Sequence, residues 1–300
     1  MKKKIISFLV ENDFIYDIAR KLYERGRIFR LHNRLKNRDD IQKNANNNIL
    51  SINKENKNAI ILGNGPSLKE VLDNGISRFE LDDAFCVNEF AQTEFYHQIR
   101  PKYYVILDPA YGEHETPLLD IVLETREAIE KKTKWPIILF LPERMRKWNH
   151  LQRINNDYII IKYMNVDNPT FEYEEEEFYR ARYNVNFLSE CGQNVLHAAI
   201  YLAIIIGYEE ISIMGADHSL HKDLIVDQES NELFIEDRHF YDNKKSPIRP
   251  LFGFNMKTIL QSCYNTMRGH YQLKRFSEYM GKKIYLIGFS FIDCYERKYI

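Results

Sequence analysis

The chain has 300 residues, 44 % of them hydrophobic, and a formal net charge of −1 at pH 7. That is enough apolar material for one large domain, or a domain with an appendage, while the near-neutral balance excludes a polybasic nucleic-acid binder as a whole. The four cysteines, Cys86, Cys191, Cys263 and Cys294, are far apart and form no CxxC or Cys/His cluster, which excludes a structural zinc or a disulfide framework and points to reduced thiols in a cytosolic protein.

The first ten residues, MKKKIISFLV, begin as a signal peptide does. The apolar run is only six residues long and meets Glu11 and Asp13 without a small-residue cleavage site, so a secretory leader is not expected. No segment reaches about 18 uninterrupted apolar residues, so neither is a transmembrane helix. Residues 1–38 carry eleven Lys/Arg against four Asp/Glu, and Phe14, Ile15, Ile18, Leu22, Ile28, Phe29, Leu31 and Leu35 recur at roughly helical spacing. A basic amphipathic helix of this kind either lies on an anionic membrane surface or packs its apolar side on the domain with its cations solvated. Residues 39–57, rich in Asn, Lys and Asp, read as a linker. The expected division is therefore an arm and linker over 1–57 and a domain over 58–300.

From residue 58 short apolar runs alternate with helix-like segments. The runs are Ala59–Leu62, Ala84–Val87, Tyr103–Leu107, Ile137–Leu141, Tyr158–Ile161, Ile211–Met214 and Ile284–Ile287. Helices are expected over 67–74, 116–132, 142–150, 192–206 and about 256–280. Strands rich in Ile, Val and Tyr, each followed by a helix, predict an α/β, Rossmann-like domain: a mostly parallel sheet of about seven strands with helices on both faces, plus the N-terminal helical arm. Residues 217–255 break the rhythm, being polar and aromatic with no clear element, and such a segment is expected to act as a lid or binding loop. The acidic run Glu174–Glu177 reads as a solvated helix face, and Trp135 and Trp148, on either side of the fourth strand, read as packing.

The first strand runs into Gly63-Asn64-Gly65-Pro66-Ser67. Ligands of doubly wound sheets sit at the carboxyl ends of the strands beside helix N-termini. Gly63 and Gly65 permit positive φ and close backbone approach, Pro66 suits a helix entrance, and Ser67 is a good N-cap. Free amides there suit a phosphate, and the Asn64 amide suits phosphate or sugar hydroxyls. The loop has no GK[ST] and no third glycine, so it is neither a P-loop nor the dinucleotide fingerprint. A tight strand-to-helix turn without a ligand is the alternative.

Further residues at strand ends extend the pattern: Cys86-Val87-Asn88, Leu107-Asp108-Pro109, Cys191-Gly192 opening a helix, and GYEEISIMGAD over Gly207–Asp217. With GNGPSLKE ahead of them, they make the chain resemble the bacterial CMP-sialic-acid sialyltransferases of single Rossmann-like domain. It is similar, too, to the motility-accessory-factor flagellin glycosyltransferases and the hydroxymethylpterin pyrophosphokinase-like family. The resemblance covers about residues 58–290, with the opening octapeptide and GYEEISIMGAD its most specific parts. It implies that Gly63, Asn64, Gly65 and Ser67 hold the phosphate side of a CMP-sugar, and that Asn88 contacts the nucleotide or donor sugar. Asp108 stands where the sialyltransferases usually carry Asn, and Cys191-Gly192 where they carry Ser-Gly, which leaves backbone contact with the nucleotide. Asp217 is expected to hold ribose hydroxyls or orient a neighbour; a helix cap is its alternative.

Transfer of this kind needs hydrogen-bond donors for the leaving phosphate and a base for the acceptor hydroxyl. The resemblance implies a His base assisted by Tyr. Among His218, His221, His239 and His270, the expected base is His239, followed by His218, with Tyr241 supporting the phosphate and Arg249 an acceptor or carboxylate. No DxD motif occurs, so metal-independent transfer with no cofactor is expected. The resulting expectation is a cytosolic glycosyltransferase that moves a nonulosonic acid or Kdo-type sugar from CMP to an acceptor glycan or glycolipid with inversion, in surface polysaccharide or lipooligosaccharide (capsule or lipopolysaccharide) synthesis. Residues 1–38 would hold it at the inner face of the cytoplasmic membrane, and no nucleic-acid partner is expected. The alternatives are an ATP-dependent pyrophosphokinase of a pterin-like alcohol and a non-catalytic nucleotide-binding scaffold.

Overall fold

The structure is a computed structural model that describes residues 52–73, 83–166, 194–236 and 255–299, single positions 18, 22 and 49, and the strand segments 187–188 and 248–250. The strands are β1 (Asn58–Leu62), β2 (Asp83–Val87), β3 (Tyr103–Val105), β4 (Ile137–Pro142), β5 (Ile159–Val166), β6 (Phe187–Leu188), β7 (Glu210–Met214), β8 (Leu224–Val226), β9 (Leu233–Glu236), β10 (Ile248–Pro250), β11 (Lys283–Ile287) and β12 (Glu296–Arg297). The helices are α1 (Leu68–Asp73), α2 (Phe95–Ile99), α3 (Leu119–Lys132), α4 (Val195–Ile206) and α5 (Met256–Tyr279).

Nine strands form one sheet in the order β12-β11-β7-β1-β2-β3-β4-β5-β6, and every neighbouring pair is parallel. Side chains alternate across it, as a pleated strand requires. Ile61, Phe85, Val87, Tyr103, Val105, Ile211 and Ile213 enter one core with α4 and α5. Ile60, Leu62, Cys86, Tyr104, Leu139 and Met214 enter the other, with α1 and α3. Eleven of the twelve residues of α4 are buried, which accounts for a helix apolar on every side: it lies between the sheet and α5.

The parallel α/β architecture is the expected one, and it differs in several elements, among them α2, which was not expected. The two-residue strands β6 and β12 extend the sheet at both edges, too short to show in hydropathy. The helix expected over 142–150 is replaced by 3-10 turns at Glu143–Met145 and His150–Arg153. There the Asn149 side chain donates to the Met145 carbonyl at 2.9 Å, taking the acceptor that a continuing helix would give to a backbone N–H. Segment 217–255, expected to lack regular elements, contains β8, β9 and β10, which form an antiparallel sheet of their own.

Asp83, the first residue of β2, is structural. Buried Asp83 accepts from Tyr208 Oη at 2.5 Å, from Asn56 Nδ2 at 2.9 Å and from the Glu55 amide at 3.2 Å, with Lys102 at 3.4 Å. Burial raises its carboxyl, but these partners together hold it below the usual carboxylate range. None of the helices among the described residues is long and apolar enough to cross a membrane.

Candidate functional site

β1 and β7 are adjacent and end in register, Leu62 opposite Met214, yet the chain continues from β1 towards β2 and from β7 towards β11. That divergence is the topological switch point of the sheet, where an open α/β fold leaves a crevice. A cleft of about 230 Å³, open to solvent, lies there. Its floor is the loops after β1 and β7, one wall is Val87–Glu89 and the N-terminus of α4, and the outer wall includes Ile235 and Glu236 of β9.

The loops of the floor are clamped together. The Gly63 amide donates to the Met214 carbonyl at 2.8 Å and the Gly65 amide to the Gly215 carbonyl at 2.9 Å. Neither Gly63 nor Gly65 has positive φ; Gly215 does, at 64°. What requires glycine at 63 and 65 is space: a Cβ on Gly63 would lie 2.3 Å from the Gly215 oxygen, and one on Gly65 would lie 2.1 Å from Asp217 Oδ2. Asp217 is buried and caps α1. Its carboxylate accepts from the Ser67 amide at 3.1 Å and from Ser67 Oγ at 2.8 Å. Burial raises the Asp217 carboxyl more than the Ser67 bonds lower it. The amides of Gly63, Gly65 and Ser67, read from sequence as a phosphate cradle, are thus engaged inside the protein, and a carboxylate occupies the helix entrance.

The unsatisfied groups of the cleft are acceptors. Asn64 Nδ2 donates to the Val87 carbonyl at 3.3 Å, which orients the amide and leaves its buried Oδ1 without a partner. Asn88 sits at φ 47°, its carbonyl held by Tyr104 Oη, and its Oδ1 is also buried and unpartnered. Two buried carbonyl oxygens without donors in one cleft call for a ligand that brings O–H or N–H groups. Glu89, Asp217, Asp223 and Glu236 complete an acid-rich lining.

His218 also lines the cleft, with φ 51°. Its Nε2 lies 2.9 Å from His270 Nε2, and His270 Nδ1 lies 3.2 Å from Tyr295 Oη. His197 of α4 stands edge-on to His270, ring centres 4.3 Å apart, and its Nε2 has no partner. Burial holds His218 down to about 4; burial and then His218 hold His197 down to about 3. His270 is lowered well below its usual value by burial first, then by His197 and His218. All three are neutral at physiological pH.

Asn64, Gly65, Asn88, Asp217 and His218 are therefore brought together. Asp108 is not among the lining residues; it caps the turn at Pro109–Gly112, accepting from the Ala110 amide at 2.8 Å. His221 packs against Phe291 instead. Cys191, Gly192, His239 and Tyr241 lie outside the described residues, as does the side chain of Arg249, whose backbone pairs with Ile235. Sequence reasoning passed over His197 and Tyr295. The available signal was a single His within the otherwise apolar run VLHAAIYLAIII. Among the described residues no group of three or more His, Cys, Asp or Glu is arranged to hold a metal ion.

A parallel, doubly wound sheet with a cleft at its switch point defines a Rossmann-like α/β fold. Residues 32–223 match the family described as 6-hydroxymethylpterin diphosphokinase MptE-like, and the chain belongs to that family. Among solved structures it is similar to the MAf glycosyltransferase from Magnetospirillum magneticum AMB-1, with a TM-score of 0.48 and 10 % identity over 83 % of this chain. The chain spans 34 % of that protein's length. Among curated protein sequences none matches.

Proposed function

We propose that the protein is a glycosyltransferase that binds a CMP-activated nonulosonic acid or Kdo-type donor at the switch point and transfers the sugar to an acceptor glycan hydroxyl with inversion. The observation that carries the reading is the convergence of two orphaned amide oxygens, Asn64 Oδ1 and Asn88 Oδ1, with the neutral imidazole of His218 in one cleft. The oxygens suit the hydroxyls and amino group of a nucleoside or sugar. His218 would take the proton of the acceptor hydroxyl as its oxygen bonds to the anomeric carbon. The bond from that carbon to the phosphate oxygen breaks, and its electron pair leaves with CMP. His218 replaces His239 as the preferred base, because it lines the cleft.

The loop amides being engaged, cations for the phosphate and donor carboxylate would come from the segment after β9, whose sequence carries Arg238, Lys244, Lys245 and Arg249. Residues 1–38 would hold the enzyme near lipid-linked acceptors through their basic surplus. The reading requires no metal.

The test is nucleotide-dependent thermal stabilisation with CMP, CDP, AMP and ATP, each with and without EDTA. A ligand at 100 times its Kd that binds only the folded state stabilises it by about 2.7 kcal/mol. Stabilisation by CMP that survives EDTA is expected. A shift with ATP and Mg²⁺ alone would replace the reading with a pyrophosphokinase, and no shift with any nucleotide would favour a non-catalytic scaffold.

A further inference from the structure

The contacts behind His218 determine where its protons sit. Tyr295 Oη is 3.1 Å from the His270 carbonyl oxygen and 3.2 Å from His270 Nδ1. A carbonyl only accepts, so the single phenolic proton points to it, and the phenolic oxygen accepts from Nδ1–H. His270 is neutral and carries its proton on Nδ1, so its Nε2 bears a lone pair. His218 Nε2 lies 2.9 Å from that lone pair and supplies the hydrogen. His218, neutral as well, is left with a bare Nδ1.

We propose that Tyr295 and His270 act as positioning residues that lock His218 in its Nε2–H tautomer, leaving Nδ1 as the basic atom presented to the cleft. The assignment rests on the transferase reading for the role of His218. A neutral imidazole accepts a proton only at its bare nitrogen, so a base free to exchange tautomers spends part of its time inactive. Here the partner of Nε2 is itself held by a tyrosine, and both are buried: His270 is 0 % and Tyr295 6 % exposed. The chain also receives charge. When Nδ1 takes a proton, the imidazolium still donates through Nε2 to a neutral imidazole that can share it. The groups facing this chain are His197 from α4, His270 from α5, and Tyr295 with neighbouring Cys294 from the segment after β11. Asp217, next to His218 in the chain, caps α1 through Ser67.

The relay is tested first without substrate. Long-range ¹H–¹⁵N correlation spectra of protein labelled at histidine report which ring nitrogen carries hydrogen. His218→Gln assigns the His218 signals. In the wild type at pH 7.5, His218 is expected to show a protonated Nε2 and a bare Nδ1, and His270 the reverse. Tyr295→Phe keeps the ring and removes the acceptor for His270 Nδ1–H, and both imidazoles are expected to become tautomer mixtures. A wild-type His218 protonated on Nδ1, or unchanged spectra in Tyr295→Phe, would overturn the proposal.

Transfer kinetics give the second readout. Tyr295→Phe is expected to lower kcat about two- to fivefold, in step with the share of His218 in the wrong tautomer, with the donor KM unchanged. His270→Gln, whose amide oxygen can still accept from His218 Nε2–H, should retain more activity than His270→Leu. Equal losses in those two variants would reduce His270 to packing and overturn the proposal. If wild type transfers no sugar from any donor, the transferase reading fails on its own, and the spectra still decide the tautomer lock.

Discussion

Three imidazoles buried in neutral form should make folding sensitive to mild acid, and the effect has a calculable size. A His that stays neutral when folded but titrates near 6.5 when unfolded binds more protons in the unfolded state, so stability rises with pH through that interval. The sign follows from lowered folded values: about 4 for His218, about 3 for His197 and well below 6.5 for His270. The contribution is complete above pH 6.5 and is lost as pH falls towards the folded values. At pH 5.5 the unfolded imidazole is about ten to one protonated, which costs each folded group about 1.4 kcal/mol. His197 and His218 together therefore account for about 3 kcal/mol relative to pH 8, and His270 adds to it in the same direction. Against a typical domain stability of about 5–15 kcal/mol this is a large fraction. Urea unfolding followed through the fluorescence of Trp135 and Trp148 at pH 8, 6.5 and 5.5 measures it. His218→Gln should shrink the loss between pH 8 and 5.5 by about 1.4 kcal/mol. The raised carboxyl of Asp217 works in the opposite sense, since its folded form holds a proton that the unfolded one has lost. Equal stability at pH 8 and 5.5, or an undiminished loss in His218→Gln, would refute the reasoning.

The cap formed by Asp217 gives a contrast between two substitutions. Asp217→Ala removes both bonds to Ser67 and should cost about 2 kcal/mol in urea unfolding. Asp217→Asn keeps a partner for the Ser67 amide and removes a desolvated charge, so at pH 7 its cost should be far smaller, and equal costs would defeat the account. Its cost relative to wild type should shrink as pH rises above 3.8, because the raised folded value makes the wild type lose stability in that direction. Gly65→Ala should destabilise by about 1–3 kcal/mol through collision with the Gly215 oxygen and Asp217, read from the midpoint of thermal unfolding. Asn64→Leu removes one of the orphaned acceptors. It should weaken CMP binding about tenfold by calorimetry while leaving the melting temperature without ligand within a few degrees. Removing residues 1–38 should abolish co-sedimentation with anionic vesicles and leave transfer to a soluble acceptor intact.

The sequence by itself determined the class of fold and the place of the cleft. Apolar runs rich in Ile, Val and Tyr, each leading to a helix, imply parallel strands covered on both faces, and a Gly-Asn-Gly-Pro-Ser turn after the first of them marks the end where ligands bind. Asn64 and Asn88 were placed there for the same reason, since each follows a strand at its carboxyl end, whereas His218 was legible only as one of several histidines, behind His239. What each glycine and acid does there was not legible. Residue 65 and residue 217 are 152 positions apart in the chain, and only the pairing of β1 with β7 brings the Asp217 carboxylate to the turn. That contact converts an expected phosphate cradle into a closed helix cap and leaves the asparagine oxygens as the groups in want of a partner. The relay behind His218 was still less visible. His197 lies on α4, His270 on α5, and Tyr295 beyond β11. No periodicity links them, because their meeting depends on how the two helices pack against one face of the sheet, and packing is decided by the whole set of side chains rather than by any local run.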